Sequence, residues 1–507
     1  MSVRRLLSVA ALAAVCSSTA FAQEPVAPGS DIDPRIEKLV SSISEERLKA
    51  LLTKLVSFKT RNMFSDPATP DGIGAARQWI LDELKKTSPK LQVSFDVHTI
   101  PAGGRVTRDV ELRNVLAILP GKTSRRIYVS GHYDSLNLGQ RGQQGLNTGA
   151  GRSGGAAQGA AATPGAAAGA PPAGAGTPAA GAGAPPAGAA PPQGGRGAGA
   201  GAQGAPGAQG QGRGQTPRPP TDYNIVAPGA NDDGSGTVLS MELARVFAES
   251  GIEFDATLVF MTVAGEEYGL LGSRAHARSA KEQNIPIQAL FNNDIVGNST
   301  GGNGIIDGAT VRLYSEGPED SPSRSLAQFT KRVAEKYVPS HEVRLMARRD
   351  RFGRGGDHSG FNAEGFAAVG FRESKENYSM QHSANDTIDG VSFPYLAQNA
   401  RVNAAAMAVL ALAPPPPAVA SNMLGRQPSG YDARLRWTAS PGAVGYRIFW
   451  RDAWAPDWQH ELYVGNVTEF TFKNKNIDDH VFGVAAVGQN GQESSISAYV
   501  NAARSDQ

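Results

Sequence analysis

Seven acidic and imidazole side chains occupy places in the chain where they could bind metal ions and move protons. They are His132, Asp134, Asp232, Glu266, Glu267, Asp294 and His382. Histidine nitrogens and carboxylate oxygens suit divalent cations that keep one position open for water or substrate. The doublet Glu266-Glu267 is informative, because adjacent buried carboxylates repel each other unless one binds metal and the other handles a proton.

Short apolar runs directly precede several of these side chains. Residues 126–130, 256–263 and 288–291 have the composition of buried strands, and the periodicity of 237–248 predicts a helix after Asp232. In open α/β sheets, ligands bind at the carboxyl ends of the strands. We therefore expect side chains that are far apart in sequence to converge on one pocket.

The same alternation of strands and helices continues over about 310 residues. Further helices are predicted at 32–55, 74–86, 270–280, 323–337 and 395–412, and further strands at 93–97, 114–119 and 367–371. This order predicts one α/β domain over residues 23–413, with a mostly parallel mixed sheet flanked by helices.

Glycine and proline are concentrated in one segment. Residues 141–220 contain 24 Gly, 24 Ala and 12 Pro, whereas the whole chain has 60 Gly and 33 Pro. A strict Gly-X-Y repeat is absent, which argues against a collagen-like chain. The composition predicts a disordered insertion within the α/β domain.

The net charge of +2 comes from segments outside the predicted folded part. The first 22 residues and the insertion contain seven arginines and no acid, and the remainder has 42 basic and 47 acidic residues. A folded part with net charge −5 gives no reason to expect nucleic-acid binding.

The first residues have the pattern of a secretory signal peptide. Arg4 and Arg5 precede an apolar run, and small residues end at Ala22. Cleavage of residues 1–22 would remove Cys16, the only cysteine, so a metal would be held by His, Asp and Glu. We expect a secreted or periplasmic protein, and no apolar stretch is long enough for a transmembrane anchor.

The pattern of the sequence changes after the proline linker at 414–417, from alternating strands and helices to short strands alone. Short alternating runs at 434–437, 445–450, 469–472 and 480–486 predict an antiparallel sandwich over residues 418–507. Together with Trp437 and Tyr446, this segment resembles a fibronectin type III domain. Trp450, Trp454 and Trp458 lie close together; at least one is expected in the core, and the group leaves open a contact with a surface or polymer.

Six motifs occur in an order that identifies a family. They are GHYDS (131–135), PGANDDGSG (228–236), GEEYGLLGS (265–273), NND (292–294), GGDH (355–358) and HSANDT (382–387). With this set the chain resembles the secreted co-catalytic di-zinc aminopeptidases, a superfamily of zinc exopeptidases that includes leucyl-type aminopeptidases, glutamate carboxypeptidases and glutaminyl cyclases.

The resemblance implies two zinc ions and a role for each of the seven side chains. His132 and Asp294 would bind one zinc, Glu267 and His382 the other, and Asp232 would bridge them. Glu266 would act as general base toward a metal-bridging water, and Asp134 would orient the ring of His132. The substrates would be peptides with a free N-terminus.

The resemblance also extends to neighbouring residues. Asp233 and the pair Asp357-His358 are expected to be structural, and Asp386 to support His382 or cap a turn. His98, His276, His341 and His460 have no motif context, and we expect them at the surface.

Two features depart from the family pattern. His132 and Asp232 are 100 positions apart, almost entirely because of the insertion. Its eighty residues cost on the order of 1–2 kcal/mol in loop closure. Some members of the family place a tyrosine near 351–354 to hold the oxyanion, and this chain has none there.

An aminopeptidase is the function that these motifs favour. A carboxypeptidase or dipeptidase of the same family is the main alternative. A glutaminyl cyclase is disfavoured because such enzymes bind one zinc without the full five-ligand set. An inactive binding module is disfavoured because Glu266 is present.

Overall fold

The computed structural model describes residues 32–139, 222–317, 320–426 and 431–500. The predicted signal peptide at 1–22 and the predicted insertion at 141–220 lie outside these ranges. The helices are α1 (Pro34–Ser41), α2 (Glu45–Val56), α3 (Ile73–Thr87), α4 (Ser235–Glu249), α5 (Leu271–Glu282), α6 (Pro322–Tyr337), α7 (His358–Ala363) and α8 (Phe393–Leu412).

The strands form one large sheet and two small ones. The large sheet contains β1 (Gln92–Ile100), β2 (Val110–Leu119), β3 (Arg126–His132), β4 (Thr257–Val263), β5 (Ile287–Asn293), β6 (Thr310–Ser315), β7 (Glu342–Met346) and β8 (Ala368–Glu373). The small sheets contain β9 (Leu424–Arg426), β10 (Ala433–Arg436), β11 (Gly445–Asp452), β12 (His460–Gly465), β13 (Glu469–Phe472), β14 (His480–Val487) and β15 (Ser497–Ala498).

The large sheet is mixed, with parallel strands at its centre. Its order is β1-β2-β4-β3-β5-β8-β6-β7. The neighbours β4, β3, β5 and β8 run parallel, whereas β1, β2 and the β6/β8 pair add antiparallel contacts. The predicted fold class is confirmed, and the central parallel strands bring three carboxyl ends to one edge.

Helices cover both faces of this sheet. Apolar side chains of α1, α2, α3, α4, α6 and α8 pack against one face, and those of α5 and α7 pack against the other. Residues such as Val129 and Leu258 are fully buried within the sheet. Burial on both faces explains why these strands are mostly apolar in the sequence.

The first predicted helix differs from the structure. The periodicity over 32–55 predicts one helix, but the structure divides it into α1 and α2. Ser44 explains the division, because its side chain accepts a hydrogen bond from the Arg47 N–H at 3.2 Å and caps α2.

The C-terminal strands form two antiparallel sheets. One has the order β13-β10-β9 and the other β12-β11-β14-β15. Their inner side chains form a separate core around Trp437, Tyr446 and Phe482. A small β domain follows the α/β domain as expected, and its fibronectin type III character stays a prediction.

The small β domain contacts α6 of the α/β domain. Lys331 forms an ion pair with Asp457 at 2.7 Å, and the Trp458 indole N–H donates to Gln328 Oε1 at 3.1 Å. Of the three clustered tryptophans, Trp458 therefore lies at this contact and Trp450 packs on Phe472. Trp454 is 78% exposed.

Among the residues that the structure describes, no helix has the length and apolar character needed to cross a membrane.

Candidate metal centre

Three neighbouring parallel strands deliver side chains to one edge of the sheet. His132 is the last residue of β3, Glu266 and Glu267 follow β4 after a short turn, and Asp294 directly follows β5. Asp232 lies in the turn before α4, and this turn packs against the end of β3. The expected convergence at the carboxyl ends of the strands is what the structure shows.

The first group of side chains surrounds the imidazole of His132. Its Nε2 lies 3.3 Å from Asp232 Oδ1, 3.7 Å from Asp294 Oδ1 and 3.9 Å from Glu266 Oε2. His132, Asp232 and Asp294 are all nearly inaccessible to solvent. One ligand atom from each of these three residues lies within 4.8 Å of the others.

The second group surrounds the imidazole of His382. Its Nε2 lies 2.9 Å from Glu267 Oε2 and 3.1 Å from Asp232 Oδ2. Asp232 therefore presents one carboxylate oxygen to each group. Two three-ligand sets that share a carboxylate are the arrangement that the sequence motifs imply for two metal ions.

The chemistry of these atoms fits divalent cations. His132 Nε2, Asp232 Oδ2 and Glu267 Oε1 are buried without hydrogen-bond partners. Unsatisfied buried polar atoms are rare and costly in native proteins. Nitrogen and carboxylate ligands are those that zinc takes, so cations between these side chains would satisfy the atoms.

Main-chain contacts hold Asp232 in place. The amides of Asn231 and Asp232 each donate to the carboxylate of Asp386 at 2.9 Å. Asp386 is predicted to support His382 or to cap a turn, but its carboxylate binds the amides of Asn231 and Asp232 and so supports Asp232. The Asp232–Asp233 peptide bond is cis.

Asp233 joins the ends of two strands. Its carboxylate accepts hydrogen bonds from the His132 amide at 2.9 Å, the Gly236 amide at 2.9 Å and the Ile295 amide at 3.2 Å. These contacts are with main-chain amides, in keeping with the structural role expected for Asp233.

Asp134 contacts both the histidine and the glutamate doublet. Its carboxylate accepts from the amides of Glu266 and Glu267 at 3.1 and 3.3 Å. His132 Nδ1 lies 3.1 Å from the main-chain carbonyl oxygen of Asp134 and 3.5 Å from its carboxylate. Asp134 therefore orients the ring mainly through its carbonyl, and its side chain fixes the turn that carries the doublet.

Glu266 lies beside both groups, and its environment favours proton binding. Burial raises the pKa of its carboxyl well above the ordinary value, and the charges of Asp294 and Glu267 act in the same direction. The charge of His132 opposes this rise. Asp357, which is fully buried, adds to the negative field at Glu266.

Arg372 contacts the expected metal ligand Asp294, although it lies outside the six sequence motifs. Its Nη1 lies 2.5 Å from Asp294 Oδ1, and its Nη2 donates to Asp350 at 3.1 Å. Burial alone would raise the pKa of Asp294, but this guanidinium holds it below its ordinary value. Arg372 follows no motif, and a lone arginine in an apolar strand gives no signal of this role.

A buried arginine joins the two chain segments that lie before and after the predicted insertion. Arg61 donates to the carbonyl oxygens of Tyr133 at 2.6 Å, Pro228 at 2.5 Å and Gly229 at 2.8 Å. The Asn137 amide also donates to the Val226 carbonyl at 2.6 Å. These contacts bring His132 and Asp232 together across 100 positions of sequence.

Because the contacts of Arg61 and Asn137 hold together the two segments that flank the insertion, we expect the centre to assemble without the insertion. Replacing 141–220 by a short Gly-Ser linker should leave kcat/KM within about threefold and stabilise folding by on the order of 1–2 kcal/mol. Activity assays, zinc analysis and thermal unfolding of the shortened chain test this. Loss of zinc from the shortened chain would show that the insertion builds the centre.

A third group of possible ligands lies away from the centre. Asp96 Oδ2 is 2.8 Å from His98 Nε2 and 3.0 Å from His276 Nδ1, and it also accepts from the Asn114 amide at 2.9 Å. Hydrogen bonds with His98, His276 and Asn114 therefore satisfy the Asp96 carboxylate oxygen.

The prediction that the histidines without motif context lie at the surface is wrong for two of them. His276 and His341 are buried. His276 faces Asp96, and His341 Nε2 lies 2.8 Å from Asn399 Oδ1. Each ring has found a polar partner inside the fold, which single-sequence periodicity does not reveal.

A cavity of about 580 Å³ opens onto the centre. Asp232, Glu266, Glu267, Asp294 and His382 line its floor. None of the described residues that line it is a tyrosine, consistent with the absence of one at 351–354. The His358 ring lies 2.7 Å from the Arg349 carbonyl oxygen and packs locally, as expected for the GGDH motif.

Comparisons with known proteins agree with this geometry. The family model described as Peptidase family M28 matches residues 217–407. A probable zinc metalloprotease of Pyricularia oryzae is 31% identical over 504 residues, covering 91% of this chain and 84% of that protein. Another, of Leptosphaeria maculans, is 30% identical over 501 residues, covering 91% and 96%.

The solved structures that match the chain include an aminopeptidase. The LapA aminopeptidase of Legionella pneumophila is 16% identical, with a TM-score of 0.48, and the match covers 77% of this chain and 78% of that chain. The match to the fungal relatives extends over nearly the whole chain, and the family model covers every member of the centre except His132 and Asp134. The chain is a metallopeptidase of family M28.

Proposed function

We propose that the protein is a zinc-dependent aminopeptidase that removes the N-terminal residue of peptides. The observation that carries this proposal is that Asp232 presents one oxygen to each of two ligand groups, with Glu266 beside them. His132, Asp232 and Asp294 would hold one zinc ion, and Asp232, Glu267 and His382 the other. The names of the fungal relatives support zinc as the metal.

Bound zinc would lower the pKa of water and polarise the scissile carbonyl. The chain's own contribution is proton transfer and positioning. The Glu266 carboxylate takes a proton from the attacking water and delivers it to the leaving amine. Asp134 fixes the backbone of Glu266 and Glu267 through their amides, so both carboxylates keep their orientation.

The cavity above the centre is of a size that suits a small part of a peptide. Its volume of about 580 Å³ is within the range of small-ligand sites. A carboxypeptidase or dipeptidase would use the same centre, and the five-ligand set disfavours a glutaminyl cyclase.

The proposal is tested with peptides that have free or acetylated N-termini. We expect cleavage of the free peptides from the N-terminus, complete loss of activity with a chelator, and recovery on adding zinc. Liquid chromatography with mass spectrometry identifies the released residue. Cleavage of acetylated peptides at equal rates, or activity that resists chelation, would contradict the proposal.

We further propose export to the periplasm or medium, with the signal peptide removed after Ala22. The clustered tryptophans on the small β domain, of which Trp454 is exposed, support a contact of this domain with a surface or polymer. Mass determination of the mature N-terminus and a binding assay of a Trp454→Ala variant test these two points.

A further inference from the structure

Arginines dominate the cavity wall above the metal centre. Apart from the metal-ligand set and Glu266, the one acidic residue among the described lining residues is Glu364. The arginines that line the cavity are Arg105, Arg274, Arg278, Arg349, Arg351 and Arg354. Two divalent cations would neutralise the acids on the floor, and the six arginines outnumber the one acidic residue of the wall.

Some of these arginines already have acidic partners. Arg351 and Arg354 pair with Glu376 at 2.8 and 3.5 Å, Arg349 with Glu316 at 3.4 Å, and Arg278 with Glu364 at 3.9 Å. Within the described ranges, Arg105 and Arg274 form no ion pair with a carboxylate. Two guanidinium groups at the cavity are therefore free to bind an anion.

Arg105 contacts the residue that follows the glutamate doublet, and Arg274 lies in the next helix along the chain. The Arg105 guanidinium lies over the Tyr268 ring, 5.5 Å from its centroid, and Tyr268 directly follows Glu267. Arg274 is in the first turn of α5, seven positions after Glu267, and its side chain is exposed. A cation at a helix N-terminus is disfavoured by the helix dipole, so this position is not explained by helix stability.

We propose that the arginine wall selects substrates that carry a carboxylate next to the scissile bond, with Arg105 and Arg274 as the groups that bind it. This inference rests on the proposed peptidase function and names its substrate class. The carboxylate has two sources: an acidic side chain on the N-terminal residue, or the free C-terminus of a dipeptide.

The chemistry of the wall favours a carboxylate over an apolar side chain. A guanidinium offers paired N–H donors that match the two oxygens of a carboxylate. Leu136, Leu138 and Leu270 also line the cavity, so a preference for apolar residues is the outcome to compare against. Since Arg105 and Arg274 are exposed to solvent, the preference for a carboxylate should weaken with salt.

Two matched substrate pairs separate the sources of the carboxylate. Glutamyl and glutaminyl 4-nitroanilides differ only in the side-chain charge, and Ala-Ala and Ala-Ala-amide differ in the terminal charge. We expect kcat/KM to favour the charged member of at least one pair by about tenfold or more. Arg105→Gln and Arg274→Gln should each reduce that preference, and the double variant should abolish it.

A matched control and a binding measurement complete the test. Arg344→Gln, an exposed arginine outside the cavity, should leave the preference unchanged. Calorimetry of the zinc-loaded Glu266→Gln protein with Glu-Ala and Gln-Ala compares binding without hydrolysis. Because Arg105 and Arg274 are exposed, their variants should keep the unfolding temperature.

The outcomes distinguish this inference from the proposed function. Equal kcat/KM within both pairs, or a preference that survives the double variant, would overturn the arginine wall while leaving the peptidase proposal intact. Cleavage only of acetylated peptides with a free C-terminus would overturn the aminopeptidase proposal but support carboxylate binding. Tighter binding of Glu-Ala than Gln-Ala, lost in the double variant, supports the inference without turnover.

Discussion

Replacing Glu266 by glutamine is expected to reduce kcat by about 10²–10⁴-fold, the usual contribution of a general acid–base group. The amide keeps the shape of the side chain but cannot accept a proton from water. Glu266 lies beside both ligand groups without belonging to either, so the zinc content should stay unchanged. Steady-state kinetics with elemental analysis of the same preparation measures both quantities.

Glu249→Gln is the matched control for this variant. Glu249 is an exposed residue at the end of α4 that pairs with Arg245, and its loss should change kcat by less than about twofold, as expected of a surface substitution. A Glu266→Gln protein that retained wild-type kcat would exclude Glu266 as the proton acceptor. Loss of zinc in that variant would instead make Glu266 a ligand.

Replacing Asp232 by asparagine should have the broadest effect, because this carboxylate faces both ligand groups. Its oxygens lie 3.3 Å from His132 Nε2 and 3.1 Å from His382 Nε2. The uncharged amide of asparagine has only one oxygen, so it cannot present a carboxylate oxygen to each of the two groups. We expect both zinc ions to be lost, hydrolysis to fall to background, and the unfolding temperature to drop because metal binding stabilises the folded state.

Two further variants grade this effect. Asp386→Asn alters only the acceptor of the Asn231 and Asp232 amides, and should weaken zinc binding by about 10- to 100-fold. Asp389→Asn, at an exposed position nearby, should change nothing. Elemental analysis at fixed free zinc ranks the three proteins. Wild-type zinc content in Asp232→Asn would contradict the shared-carboxylate account.

The elements that position the centre were predictable because their strands are buried on both faces. The runs at 126–130 and 256–263 are mostly apolar, and the structure forms β3 and β4 from them. β6 and β7 were not predicted, because arginines interrupt both short strands and β7 lies at the sheet edge. The order of the strands, with β3 between β4 and β5, depends on packing that no local pattern encodes.

The residues of the metal centre also fall into those that the sequence predicts and those that it does not. The seven motif residues could be named because each lies at the end of a strand or in a motif, and the structure brings them together. Arg61 and Arg372 could not be named, because each acts through contacts with residues more than 70 positions away. A single arginine gives no spacing pattern, so its role appears only when the chain has folded.

The most direct test of the central claim is anomalous diffraction at the zinc edge from crystals of the zinc-loaded protein. The account predicts two peaks, each about 2 Å from a different oxygen of Asp232. One should also contact His132 and Asp294, and the other Glu267 and His382. A single peak between these side chains, or the principal peak at Asp96, His98 and His276, would contradict a two-metal centre at Asp232.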